Sequence, residues 1–178
     1  YFPVYYVEPK IPNAAALGFD LASEASRGNA LRRAAETGLQ TSSGPIVLVQ
    51  SASGGMGFVV VNPVYSRTGD LATQGGRPAG LEGFVTGVFL VSELVDYAFL
   101  EQRPEWMGIT LRDETEPNHP VILFSRRAEA PLMTSLSYTS EFQIAGRTWG
   151  LRFVPSQSRV REMRTSSPWY ILAAGLLM

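Results

Sequence analysis

The sequence predicts a mixed fold, α/β in its α+β form, with antiparallel sheets and covering helices. Three observations predict it. Residues 23–38 place Ala30, Leu31, Ala34 and Ala35 at helical spacing and end on Gly38, a good helix stop. Two apolar runs follow, Ile46-Val47-Leu48-Val49-Gln50 and Phe58-Val59-Val60-Val61-Asn62-Pro63-Val64-Tyr65, joined by Ser51-Ala52-Ser53-Gly54-Gly55, which can turn freely. From Trp106 onward short strand-like runs succeed one another. A helix laid over a hairpin leaves a concave space, and small-molecule sites most often occupy such spaces.

The first segment, Tyr1 to Val7, alternates aromatic and aliphatic residues, and Pro3 and Pro9 restrict it to an edge or end strand. Asn13 is placed to cap a short helix over Ala14–Leu17, which Gly18 would end. Phe19 and Leu21 bracket Asp20. For the helix over 23–38, Ser23 or Ser26 is the expected N-cap. Arg32 and Arg33 form a solvated face. Arg27 sits at the positive end of the helix dipole, where a cation is unfavourable, so either a site requires it or its side chain is simply exposed.

Gly54-Gly55-Met56-Gly57 lacks the Gly-Lys-Ser/Thr and the following helix of a phosphate-binding loop, so it reads as hairpin glycine. Residues 66–80 read as a long surface loop. A strand is expected over Leu81–Val91, thinned at Gly83 and Gly87 where a backbone or ligand can come close. Ser92 then caps a helix over Glu93–Gln102 with Leu94, Val95, Ala98 and Phe99 on one stripe. Further strands are expected at Met107–Leu111, Val121–Phe124, Leu136–Ile144 and Thr148–Val154, the last two flanking an Ala145-Gly146-Arg147 turn.

Composition limits the function classes. With 178 residues, 45% hydrophobic, 17% charged and a net charge of −1, the chain can bury a real core and has no basic excess to attract nucleic acid. It has no cysteine, which excludes a disulfide scaffold and a thiolate metal site. Both ends read as cut. The run Trp169–Met178 is wholly apolar after Pro168, about half of the roughly 20 residues a membrane span requires. It is expected to be the start of a transmembrane helix, with a C-terminal core helix as the alternative. Arg159, Arg161 and Arg164 precede it on what reads as a solvated helix face.

Catalytic machinery is not expected, nor a metal or a cofactor. The single histidine, His119, lies in the turn Glu116-Pro117-Asn118-His119-Pro120, and any Ser-His-Asp triad or histidine metal cluster would have to use it. The neighbouring Asp113, Glu114 and Glu116 read as loop solvation.

The order of segments resembles the CHASE domain, the extracytoplasmic sensory module of bacterial histidine kinases and cyclases and of plant cytokinin receptors. The likeness rests on Tyr1-Phe2-Pro3-Val4 with Glu8-Pro9, Leu17-Gly18-Phe19-Asp20-Leu21, Ala34-Ala35-Glu36-Thr37-Gly38 and Gly44-Pro45 with the run to Gln50. It continues through Asn62-Pro63-Val64-Tyr65, Gly83-Phe84-Val85-Thr86-Gly87-Val88-Phe89 and Gly146-Arg147-Thr148-Trp149. The resemblance implies a PAS-like pair of units: residues 1–105 as a membrane-distal ligand-binding subdomain that lacks its N-terminal helix, and 106–158 as a smaller membrane-proximal one. Residues 159–178 would form the juxtamembrane segment and the start of the span.

Carried over position by position, the resemblance puts the adenine-binding aspartate of cytokinin receptors on Arg27 and a pocket threonine on Val61. A leucine that contacts ligand through its backbone falls on Val49, and a threonine whose loss disables the receptor falls on Ser43. With Leu21, Gly87 and Phe89 these are the candidate ligand-binding residues. A donor-only guanidinium cannot reproduce a carboxylate's hydrogen bonds, so a cytokinin is disfavoured and a small anion fits Arg27 better. The expected partners are an unknown small molecule of anionic type, the membrane through the C-terminal helix and, as the resemblance implies, a second copy in a homodimer, with no nucleic acid. Two other classes stay open: a ligandless periplasmic protein-interaction module, and a hydrolase with acidic residues converging on His119.

Overall fold

Helix and strand formation follow from local chemistry that the computed structural model makes visible over residues 1–48, 55–66, 80–99 and 104–163. The helices are α1 (Lys10–Asn13), α2 (Ala25–Thr37), α3 (Val91–Ala98) and α4 (Gln157–Met163). The strands are β1 (Thr41–Ser42), β2 (Ile46–Val47), β3 (Met56–Tyr65), β4 (Leu81–Leu90), β5 (Met107–Asp113), β6 (Val121–Arg126), β7 (Tyr138–Ile144) and β8 (Arg147–Pro155). They form two antiparallel four-stranded sheets, an α+β arrangement.

In the first sheet β4 runs along one edge of β3, from Gly57↔Leu90 to Tyr65↔Leu81. β1 and β2 share the other edge, pairing Thr41↔Val61 and Ile46↔Gly57. The second sheet has the order β6-β5-β8-β7. Its β7–β8 hairpin turns at Ala145 (φ 45°) and Gly146 (φ 80°), both left-handed, as a two-residue turn that follows the strand twist requires.

β3 is the axis of the molecule. Side chains alternate across a strand, and over residues 57–61 both faces are covered. Val59 and Val61 pack with Ala30, Leu31 and Ala34 of α2 and with Ile46. Phe58, with Val60 beside it, packs with Val91 and Val95 of α3 and with Leu111, Leu123 and Trp149 of the second sheet. The Phe58 ring meets Trp149 edge-on at 4.8 Å.

Several element ends differ from expectation. Helix α2 is capped by Glu24, whose carboxylate accepts from Ser26 N (2.8 Å) and Arg27 N (3.0 Å), and not by Ser23 or Ser26. The preceding turn Leu21–Ser23 is itself capped by Asp20, so the chain enters the helix one residue past Ser23, and the longer glutamate reaches two amides. Gly38 ends it in the left-handed region (φ 70°).

α3 begins at Val91 with Leu90 in the cap position, which places Ser92 inside its first turn. Val91 and Val95 form its buried stripe, while Leu94 and Ala98 face out. Tyr1–Val7 is an extended segment with one bridge, Pro3↔Asp20, and not a ladder strand. Asn13 turns its amide back to the Pro9 carbonyl (3.0 Å) and does not cap the 3-10 turn Ala14–Ala16.

Among the described residues no helix is long and apolar enough to cross a membrane. The apolar run 169–178, Arg164, the loop at 67–79 and residues 49–54 of the first hairpin lie outside the described residues.

Candidate functional site

Helix α2 covers β3 but not β4. On the face toward α2, Val59 and Val61 are 2% and 1% exposed, whereas Val88, paired with Val59 on the same face, is 54% exposed. Thr86 pairs with Val61 and Phe84 with Pro63, so Phe84, Thr86 and Val88 together floor a ledge beside the helix. Phe84 packs at the margin of the core, and Phe2 meets it edge-on at 5.3 Å. Leu21 and Leu48 pack against the same core from the approach to α2 and from the end of β2.

Arg27 lies in the first turn of α2. It lies three and four residues before Ala30 and Leu31, on the sheet-facing stripe of the helix. Its guanidinium lies 5.0 Å over the Phe19 ring, and its Nε is 3.4 Å from Glu24 Oε2. Nε is buried, with no acceptor at hydrogen-bond geometry among the described residues. The Glu24 carboxylate also explains how a cation is tolerated at the helix's positive end: it supplies the complementary charge there. Burial raises the Glu24 pKa, but the Ser26 and Arg27 amides and the Arg27 charge outweigh it and hold the carboxyl below its ordinary range.

The candidate residues read from sequence fall in different places. Leu21 and Val61 are on the helix side, and Arg27 is in the first turn of α2 against Phe19 and Glu24; Val61, however, is enclosed by core. Gly87 and Phe89 pair with Val60 and Phe58 and therefore face the second sheet. The Phe89 ring stacks on Phe58 at 5.2 Å and folds over Gly87, where an added Cβ would lie 2.8 Å from the ring. Ser43 is buried and bonded to β3: its Oγ accepts from Val59 N (2.9 Å) and donates to Gly44 O (2.8 Å). Val49 lies outside the described residues.

Thr86 and Val88 are the ledge residues that sequence reasoning missed. The run Phe84–Phe89 has no polar–apolar alternation, so nothing in it assigns a face, and an error of one residue inverts every side chain.

Elsewhere, His119 is exposed in its turn, its backbone N–H donating to Glu116 O (2.9 Å). Asp113 is not a solvated loop carboxylate. It is 3% exposed and receives Arg147 Nε at 2.6 Å and Thr115 N at 3.0 Å. Burial raises its pKa, but the Arg147 and Thr115 hydrogen bonds prevail and hold it below the ordinary carboxylate range. Among the described residues no group of three or more His, Asp or Glu side chains could hold a metal ion.

Comparison with known proteins identifies one family: the model described as the CHASE domain matches residues 1–124. No curated protein matches the chain.

Proposed function

The chain belongs to the CHASE domain family, whose members are extracellular sensory domains of signalling receptors and not catalysts, and from that premise we propose that it binds a small molecule on the ledge beside α2. The observation that carries this reading is the uncovered strand: α2 buries Val59 and Val61 but leaves Val88, one strand over on the same face, open. Apolar side chains with few polar groups are the usual lining of such a site. Arg27 supplies the cation that would pair with a ligand carboxylate. A small, largely apolar anion is therefore the proposed ligand.

In this reading the first sheet and its helix are a PAS-like membrane-distal unit and the second sheet is the membrane-proximal one. Binding shifts the equilibrium between two arrangements only by the ligand's differential affinity for them. The receptor would be a homodimer anchored through residues 169–178, with a cytoplasmic histidine kinase or nucleotide cyclase as its output.

Native mass spectrometry of the receptor taken straight from expression tests the reading. A stoichiometric small molecule that survives buffer exchange supports it, and Arg27→Ala should then abolish its retention. An alternative, a ligandless periplasmic interaction module, is favoured by the exposure of Tyr5 (90%), Tyr6 (77%) and Ile11 (86%). It takes precedence if the protein arrives empty and no metabolite raises its melting temperature.

A further inference from the structure

We propose that the segment Ser42–Gly44 is a latch that couples the ledge to the second sheet, with Arg147 and Asp113 as its positioning residues. Its purpose rests on the sensing reading of the ledge; its geometry does not need a ligand.

β1 and β2 are one strand interrupted by a bulge. Ser42 pairs with Val60 and Ile46 with Gly57, so four steps on one strand face three on the other. An extra residue normally leaves ladder groups unpaired, and buried ones are costly. Here they are taken up. Ser43 N donates to Val59 O (2.8 Å), and Ser43 Oγ replaces the missing carbonyl by accepting from Val59 N (2.9 Å). Ser42 N turns outward and donates to Ala145 O (2.8 Å), in the β7–β8 turn of the second sheet. Thr41, Ser42 and Ser43 are all buried.

Gly44 lies where three elements converge. A Cβ built on it would come within 2.9 Å of Ser26 Oγ in the first turn of α2, and within 3.8 Å of Arg147 Cζ and Nη1 in β8. Ser26 adjoins Arg27 in sequence and shares its Glu24 cap. Arg147 is fixed in turn by Asp113, and Asp113 by Thr115 N. Thr115 Oγ1 accepts from Thr148 N (3.0 Å), which closes the network onto β8. A ligand that moves Arg27 thus moves a helix turn packed against the bulge, and the bulge is bonded to the second sheet. Buried polar networks of this kind rearrange between discrete arrangements more readily than they stretch.

Amide hydrogen exchange on the full chain and on its Arg147→Met and Ser43→Ala variants measures the coupling. With Arg147→Met, protection of the Ser42 and Ser43 amides should fall by about tenfold or more while that of Leu31 and Ala34 holds. With Ser43→Ala, protection should fall reciprocally at Glu114 and Thr148 across the junction. If Arg147→Met does not fold, Arg147→Lys, which keeps the charge but loses the fork, is read at the same amides. Changes confined to the sheet that carries each substitution would overturn the latch. No ligand enters this experiment, so a failed latch leaves the sensing reading standing, and an empty receptor leaves the latch standing.

Discussion

Asp113 and Arg147 hold their ion pair almost out of water, 4% and 15% exposed at the side chains. A carboxylate whose folded pKa is depressed stabilises the fold above its unfolded pKa of about 4, and that contribution is lost as pH falls through the folded value. The melting temperature should therefore fall on acidification below about pH 4. Asp113→Asn should flatten that acid limb. At neutral pH the same substitution leaves a largely buried guanidinium without its anion and should destabilise by about 1–3 kcal/mol, checked by urea titration. The sequence concealed this residue: Arg112, Glu114 and Glu116 surround it with charge, and only the pairing with a residue more than thirty positions away makes it structural. Leu31 is a simpler case. It is 1% exposed within the α2 core, and Leu31→Ala should cost about 2–5 kcal/mol by the same titration.

Among elements, the β7–β8 hairpin carries a non-glycine residue at positive φ, Ala145. A Cβ in that region is strained, and asparagine tolerates it better. Ala145→Asn should stabilise by roughly 0.5–1 kcal/mol, seen as a higher melting temperature, because only the backbone carbonyl of Ala145 serves Ser42. This turn was legible from Ala145-Gly146, as was the end of α2 from Gly38 and its buried stripe from Ala30, Leu31 and Ala34. The faces of β4 were not, because Val85, Val88 and Phe89 are all apolar and all exposed. The cap of α2 was hidden too, since two serines compete with Glu24 for the position and only the turn at Leu21–Ser23 decides between them. At the ledge itself, Val88→Asp should leave stability within about 0.5 kcal/mol, because Val88 is already open. It should also eliminate retention of an anionic ligand by native mass spectrometry.

At the scale of the whole molecule, β3 is covered by α2 on one face and by α3 and the second sheet on the other. The general architecture followed from periodicity: a striped helix, then paired apolar runs, then a strand-rich second half. How the halves join did not, because the joining contacts are single bonds and rings such as Ser42 to Ala145 and Phe58 to Trp149. Such pairings leave no periodic trace in a sequence.

The double burial of β3 has a consequence for how this chain can change over generations. Val59 and Val61 belong to one core and Phe58 to another, so inserting or deleting a single residue in the strand would exchange the two populations at once. Loops can lengthen and surface charges can drift, but this strand must keep its residue count. Related chains of divergent sequence should therefore differ in the bulk of individual β3 residues, compensated across whichever core each one enters, and align through it without a gap.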